Sequence, residues 1–80
     1  MEWNAQPLPG VPLVELAGDS RVLIENHSGV TEYTENKVSI QVSYGKVFVC
    51  GNSLEISLMT KHQLIITGRI DMVGLERSGK

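Results

Sequence analysis

Apolar residues recur at every second position along most of this chain, and that period admits few folds. Val38, Ile40 and Val42 alternate with Ser39, Gln41 and Ser43; Leu54, Ile56 and Leu58 alternate with Glu55 and Ser57; Ile70 and Met72 flank Asp71. Side chains two positions apart share one side of a pleated strand, so each stretch offers one face to a core and one to water. Nine Val, six Ile and four Thr against two Ala favour a pleated surface, where β-branched side chains pack, over a helix, where they crowd the preceding turn.

Turn chemistry interrupts the pattern at short, regular spacing: Gly18-Asp19-Ser20, Asn26-His27-Ser28-Gly29, Thr34-Glu35-Asn36, Ser43-Tyr44-Gly45, Gly51-Asn52-Ser53 and Lys61-His62. Strands are therefore expected at 13–17, 21–26, 30–34, 37–43, 46–50, 54–59, 63–67 and 69–75, with Gly68-Arg69 a bulge or sharp corner rather than a full turn. Loops this short pair sequential strands antiparallel. The expected fold is all-β, with about seven short antiparallel strands in a meander that forms a curled sheet, a sandwich or a roll. Lys46 to Cys50 and Gln63 to Thr67 are more continuously apolar than their neighbours, so both of their faces should be covered. A curled sheet, a sandwich or a dimer does that. The faint similarity of Val47-Phe48-Val49-Cys50-Gly51 to Leu64-Ile65-Ile66-Thr67-Gly68 leaves a short β-solenoid-like stack as the alternative. Pro7, Pro9, Gly10 and Pro12 forbid a helix at the start. The expected organisation is a Pro-rich leader over 1–12, one all-β domain over 13–75 and a frayed polar tail over 76–80.

Charge and composition narrow the function classes. Seven Lys and Arg against nine Asp and Glu give a net charge of -2, without the basic excess of a nucleic-acid binder. Cys50 is the single cysteine, which rules out a disulfide framework. Uninterrupted apolar runs are far too short to cross a bilayer as a helix, so direct membrane insertion is not expected and a cytoplasmic location is. Eighty residues lie near the lower limit of what an apolar core stabilises, and self-association, most simply a two-fold homodimer, is the expected supplement.

The chemistry-bearing residues do not assemble into a recognisable site. His27, His62 and Cys50 stand on three separate segments, the histidines in turns and the cysteine at the end of an apolar strand, which is not a metal-ligand pattern. Ser28, His62 and Asp71 could be written as a triad, but no strained nucleophile turn accompanies them. Glu32 and Glu35 lie in or beside a turn and serve as solubilising carboxylates. No catalytic residue, metal ligand or cofactor is assigned, and the chain is read as a non-enzyme.

The stretch Val22-Leu23-Ile24-Glu25-Asn26-His27-Ser28-Gly29-Val30-Thr31-Glu32-Tyr33-Thr34 carries a more distinctive pattern. Pro12-Leu13-Val14-Glu15-Leu16-Ala17-Gly18 precedes it, and Tyr44 to Ile56 and Leu64 to Ile70 follow in register. Together these resemble the YabP/YqfC family of sporulation proteins of endospore-forming bacteria, closest to its YqfC branch, over roughly residues 8 to 76. The resemblance implies a non-enzymatic interaction or scaffold role in spore formation. It also implies a place in the mother-cell cytoplasm, at the membrane through a partner, and a partner that is an integral membrane sporulation protein. The family supplies no catalytic residues. A small ligand-binding or regulatory β-domain of unidentified ligand is the alternative. The candidate partner contact is Glu25, Asn26, His27, Ser28 and Gly29, because exposed loops on rigid strands commonly carry recognition and an imidazole beside a carboxylate both donates and accepts hydrogen bonds. The competing reading makes Asn26 and Gly29 the builders of a tight hairpin.

Overall fold

The computed structural model describes residues 10–78. Six strands form: β1 (Leu13–Ala17), β2 (Arg21–Glu25), β3 (Gly29–Tyr33), β4 (Lys37–Val42), β5 (Gly45–Met59) and β6 (Gln63–Arg77). They make one antiparallel sheet in the order β1-β2-β6-β5-β4-β3, and no helix occurs among the described residues. The all-β expectation holds, as does antiparallel pairing. That pairing excludes the solenoid alternative, whose stacked coils pair in parallel.

Two differences from the expected segments share one cause. The stretches 46–50 and 54–59 are a single 15-residue strand, β5, and 63–67 and 69–75 are a single 15-residue strand, β6. Gly51-Asn52-Ser53 was expected to be a turn, yet the strand runs through it with irregular register: Cys50 pairs with Met72, Gly51 with Ile70, Asn52 with Arg69 and then Glu55 with Thr67. An extra residue in a ladder kinks and twists the strand without ending it. Gly68, at φ 136°, bends β6 at the corresponding place. β6 also continues past 75, because Glu76 and Arg77 pair with Lys46 and Gly45. Residues 1–9 of the expected leader and 79–80 of the expected tail lie outside the described residues.

The bend divides the long β5–β6 hairpin into two halves, and each half receives one short hairpin. β1–β2 adds to the first part of β6, with Val22 opposite Ile66 and Ile24 opposite Leu64. β3–β4 adds to the first part of β5, with Val38 opposite Val49 and Ile40 opposite Val47. The hairpin turns then dock on the bends in matching fashion. Gly68 and Ile70 donate their N–H groups to the Ser20 and Asp19 carbonyls, at 3.2 and 2.7 Å, while Gly51 and Leu54 donate to Asn36 and Glu35, at 3.0 and 2.8 Å. The similarity between Val47–Gly51 and Leu64–Gly68 is thus a pseudo-two-fold relation inside one sheet.

Val22, Ile24, Leu64 and Ile66 from one half join Val38, Ile40, Val42, Val47 and Val49 from the other in a single buried cluster, with Leu54 and Ile70 at the bend. An open sheet leaves both faces wet, so full burial of these side chains requires the sheet to fold over and cover one face with the other half. The opposite face of the halves is only half-covered, with Phe48 and Ile65 of intermediate exposure. Consecutive strands pair everywhere except between β2 and β3, because both sides of β2 are already taken, by β1 and β6.

Candidate partner-contact segment

The segment 26–28 is the one connection that crosses between the two half-sheets, and its backbone bonds to both. Asn26 N–H continues the β2–β6 ladder by donating to the His62 carbonyl at 2.7 Å, and Ser28 N–H opens the β3–β4 hairpin by donating to the Gln41 carbonyl at 2.8 Å. Between them the chain reverses through Asn26 at φ 64°, a left-handed conformation that asparagine tolerates better than most residues. Gly29 follows at φ 133°, with open space where a Cβ would stand, so its requirement is conformational rather than steric.

His27 was expected to face outward toward a partner. It faces inward. The residue is 8% exposed, and both ring nitrogens are engaged. Gly29 N–H donates to Nδ1 at 3.0 Å, which makes Nδ1 an acceptor and places the ring proton on Nε2. Nε2–H then donates to the Thr60 carbonyl at 2.9 Å, in the turn between β5 and β6. The neutral imidazole therefore ties the crossover to the tip of the long hairpin. Thr60 carries no sequence signal as a partner of His27, because the two are brought together only by the fold.

The remaining four residues divide. Glu25 is half-buried at the end of β2, and its carboxylate accepts from Gln63 Nε2 at 3.1 Å. Asn26 Nδ2 donates to the Val11 carbonyl at 2.8 Å, pinning the chain that enters β1. Ser28 alone of the five is exposed, and Gly29 begins β3. The outward groups of the five residues are the Ser28 hydroxyl and the free part of the Glu25 carboxylate. The tight-hairpin reading is also corrected: Asn26 and Gly29 build a crossover, not a hairpin.

His62 is exposed, and Cys50 is half-buried on β5, opposite Met72 and Lys37. Among the described residues, no three of His, Cys, Asp or Glu converge. Larger apolar groups reach the surface elsewhere. Leu16, Tyr33, Leu58, Met59, Met72 and Leu75 are each exposed, and Phe48 lies across Gly74 on the outer face with Lys37 Nζ 5.9 Å from its ring centre. The alternation marked Met72 as core-facing, but it points outward, because the bulge between Ile70 and Met72 shifts the register by one.

Fold and segment together define a small antiparallel β-domain in which two short hairpins brace one bent hairpin and a histidine-pinned crossover joins them. The chain belongs to the YabP family, whose model matches residues 11–80. It is similar to the uncharacterized protein YqfC of Bacillus subtilis (strain 168), at 27% identity over 63 residues, covering 79% of this chain and 68% of that protein. No solved structure matches the chain.

Proposed function

We propose that this chain is a non-enzymatic interaction domain acting in endospore formation, on the mother-cell side, and that it engages an integral membrane protein of the same process. The single observation that carries the reading is membership of the YabP family across nearly the whole chain. The geometry is compatible with it. The concavities of the described surface are lined by a mixture of charged, polar and apolar side chains, such as Gln41, Lys46, Glu76 and Arg77 at one end of β5 and β6. No helix among the described residues is long and apolar enough to cross a membrane, so contact with the bilayer is proposed to run through the partner. In the crossover, Ser28 and Glu25 are the proposed contacts and His27 is the brace that holds their positions.

Deletion of the gene in its host, followed by counting heat-resistant spores, tests the reading. The expected result is a drop in spore count that the parent gene restores and a Ser28→Arg variant of unchanged melting temperature does not. Parental spore counts in the deletion strain overturn the proposal. Restoration by Ser28→Arg removes the crossover from it and leaves the sporulation role standing.

A further inference from the structure

The second half of β6 is a sheet edge. β2 pairs with β6 only from Gln63 to Thr67, and beyond the bend Met72 to Arg77 pair on one side, with β5. Hydrogen-bond parity identifies the groups left on the other side. Ser78 N–H donates to the Tyr44 carbonyl at 2.9 Å, so positions two and four residues earlier, Glu76 and Gly74, also aim their backbone groups at β5. Gly51 N–H, directed to Asn36 at 3.0 Å, sets the same parity from the far side of β5. Val73, Leu75 and Arg77 therefore present N–H and C=O outward, and among the described residues nothing pairs with them. Leu75 and Met72 beside this edge are 57% and 53% exposed, and Asp71 to Arg77 contain neither lysine nor proline, two residues that commonly blunt edges.

The sheet's other edges are blunted. β3 carries a bulge between Val30 and Glu32. In the second half of β5, Leu54 N–H is taken by the Glu35 carbonyl and Ile56 N–H by the Tyr33 hydroxyl, at 2.8 and 3.1 Å. β1 is preceded by Pro12, which lacks a donor, and pairing its full length with a second β1 about a two-fold axis sets Glu15 against Glu15.

We propose that a second copy of this chain pairs antiparallel with β6 about a two-fold axis at Gly74. Outward groups must meet outward groups, so Val73, Leu75 and Arg77 pair among themselves, and Asp71, the extra residue of the bulge, ends that run because Ile70 before it already points outward. Centring on Gly74 sets Val73 against Leu75 of the other copy and brings Arg77 beside its bulged Asp71, and the axis repeats both contacts. An apolar contact then continues the core side of the sheet, and opposite charges meet at both ends. Centring on Val73 instead sets Leu75 against the bulged Asp71, and centring on Leu75 sets Arg77 against Val73. Two glycines face each other at the axis without a Cβ between them, while the Phe48 ring across each Gly74 covers the outer face.

Light scattering on the full 80-residue chain tests this. At about 100 μM the expected mass is twice 8.8 kDa. Leu75→Pro removes an edge donor that no bond within the monomer uses, and Leu75→Lys places a charge against Val73 of the other copy; each is expected to return a monomer whose circular dichroism matches the parent. Asp71→Arg and Arg77→Asp each put like charges together twice across the axis and are expected to weaken the dimer about tenfold, while the two combined restore it. A parent mass of 8.8 kDa overturns the proposal, as does a Leu75→Lys chain that stays as dimeric as the parent. Failure of the charge swap to restore the dimer overturns the Gly74 register. If Leu75→Pro fails to fold, Leu75→Lys and the charge swap decide between these outcomes.

Discussion

Replacing His27 by alanine is expected to destabilise the domain by about 2–3 kcal/mol. Two hydrogen bonds are lost, from Gly29 N–H to Nδ1 and from Nε2–H to the Thr60 carbonyl, each with a net value of about 0.5–1.5 kcal/mol. The buried ring also leaves a gap that the crossover cannot fill with a methyl group. Thr60 is exposed, so water can reclaim its carbonyl and soften that part of the loss. For a domain of this size each kcal/mol lowers the melting temperature by about 4–8 °C, which gives a drop of about 10–20 °C. Two further variants divide the effect. Glutamine can extend a nitrogen toward Thr60, and asparagine can offer an oxygen to Gly29, so each is expected to keep one bond and lose about half as much. Thermal melts followed by circular dichroism, with urea midpoints as a check on the free energy, measure the series. A His27→Ala chain that melts within about 2 °C of the parent refutes the brace, because that shift is below what one lost hydrogen bond produces here.

The bends supply a second set. Gly51→Ala drives a Cβ into the Arg69 carbonyl oxygen, and Gly68→Ala combines φ 136° with an approach of 2.6 Å to the Ser53 oxygen. Each is expected to cost about 2–4 kcal/mol in urea denaturation, whereas Gly18→Ala, with open space around it at φ 58°, costs only the left-handed penalty of about 1 kcal/mol. Tyr33→Phe removes the hydroxyl that accepts Ile56 N–H at 3.1 Å, and amide exchange at Ile56 is expected to speed up while stability falls by about 1 kcal/mol or less.

The alternation of Val38, Ile40 and Val42 and of Val22 and Ile24 determined by itself that the chain forms strands and which faces become core, because a period of two is a local property of the pleat. The turn residues at Gly18–Ser20 and Thr34–Asn36 likewise placed both short hairpins. Gly51-Asn52-Ser53 misled for a physical reason. Glycine and asparagine at a bulge look the same as at a turn, and only the partner strand, Ile70 and Arg69 opposite, shows that the ladder continues. The candidate segment was legible as five residues of unusual composition but not as a structure. Whether Asn26 to Gly29 close a hairpin or cross between half-sheets depends on which strand occupies the open side of β2, and β6 arrives there from nearly forty positions further along the chain. The inward turn of His27 has the same origin, since its acceptor at Thr60 belongs to a hairpin tip that comes near only because β6 pairs with β2. Local pattern therefore decided strand and face. The neighbours of each edge, and with them the roles of His27 and of the free side of β6, were decided by long-range pairing, whose partners leave no mark at the positions they will meet.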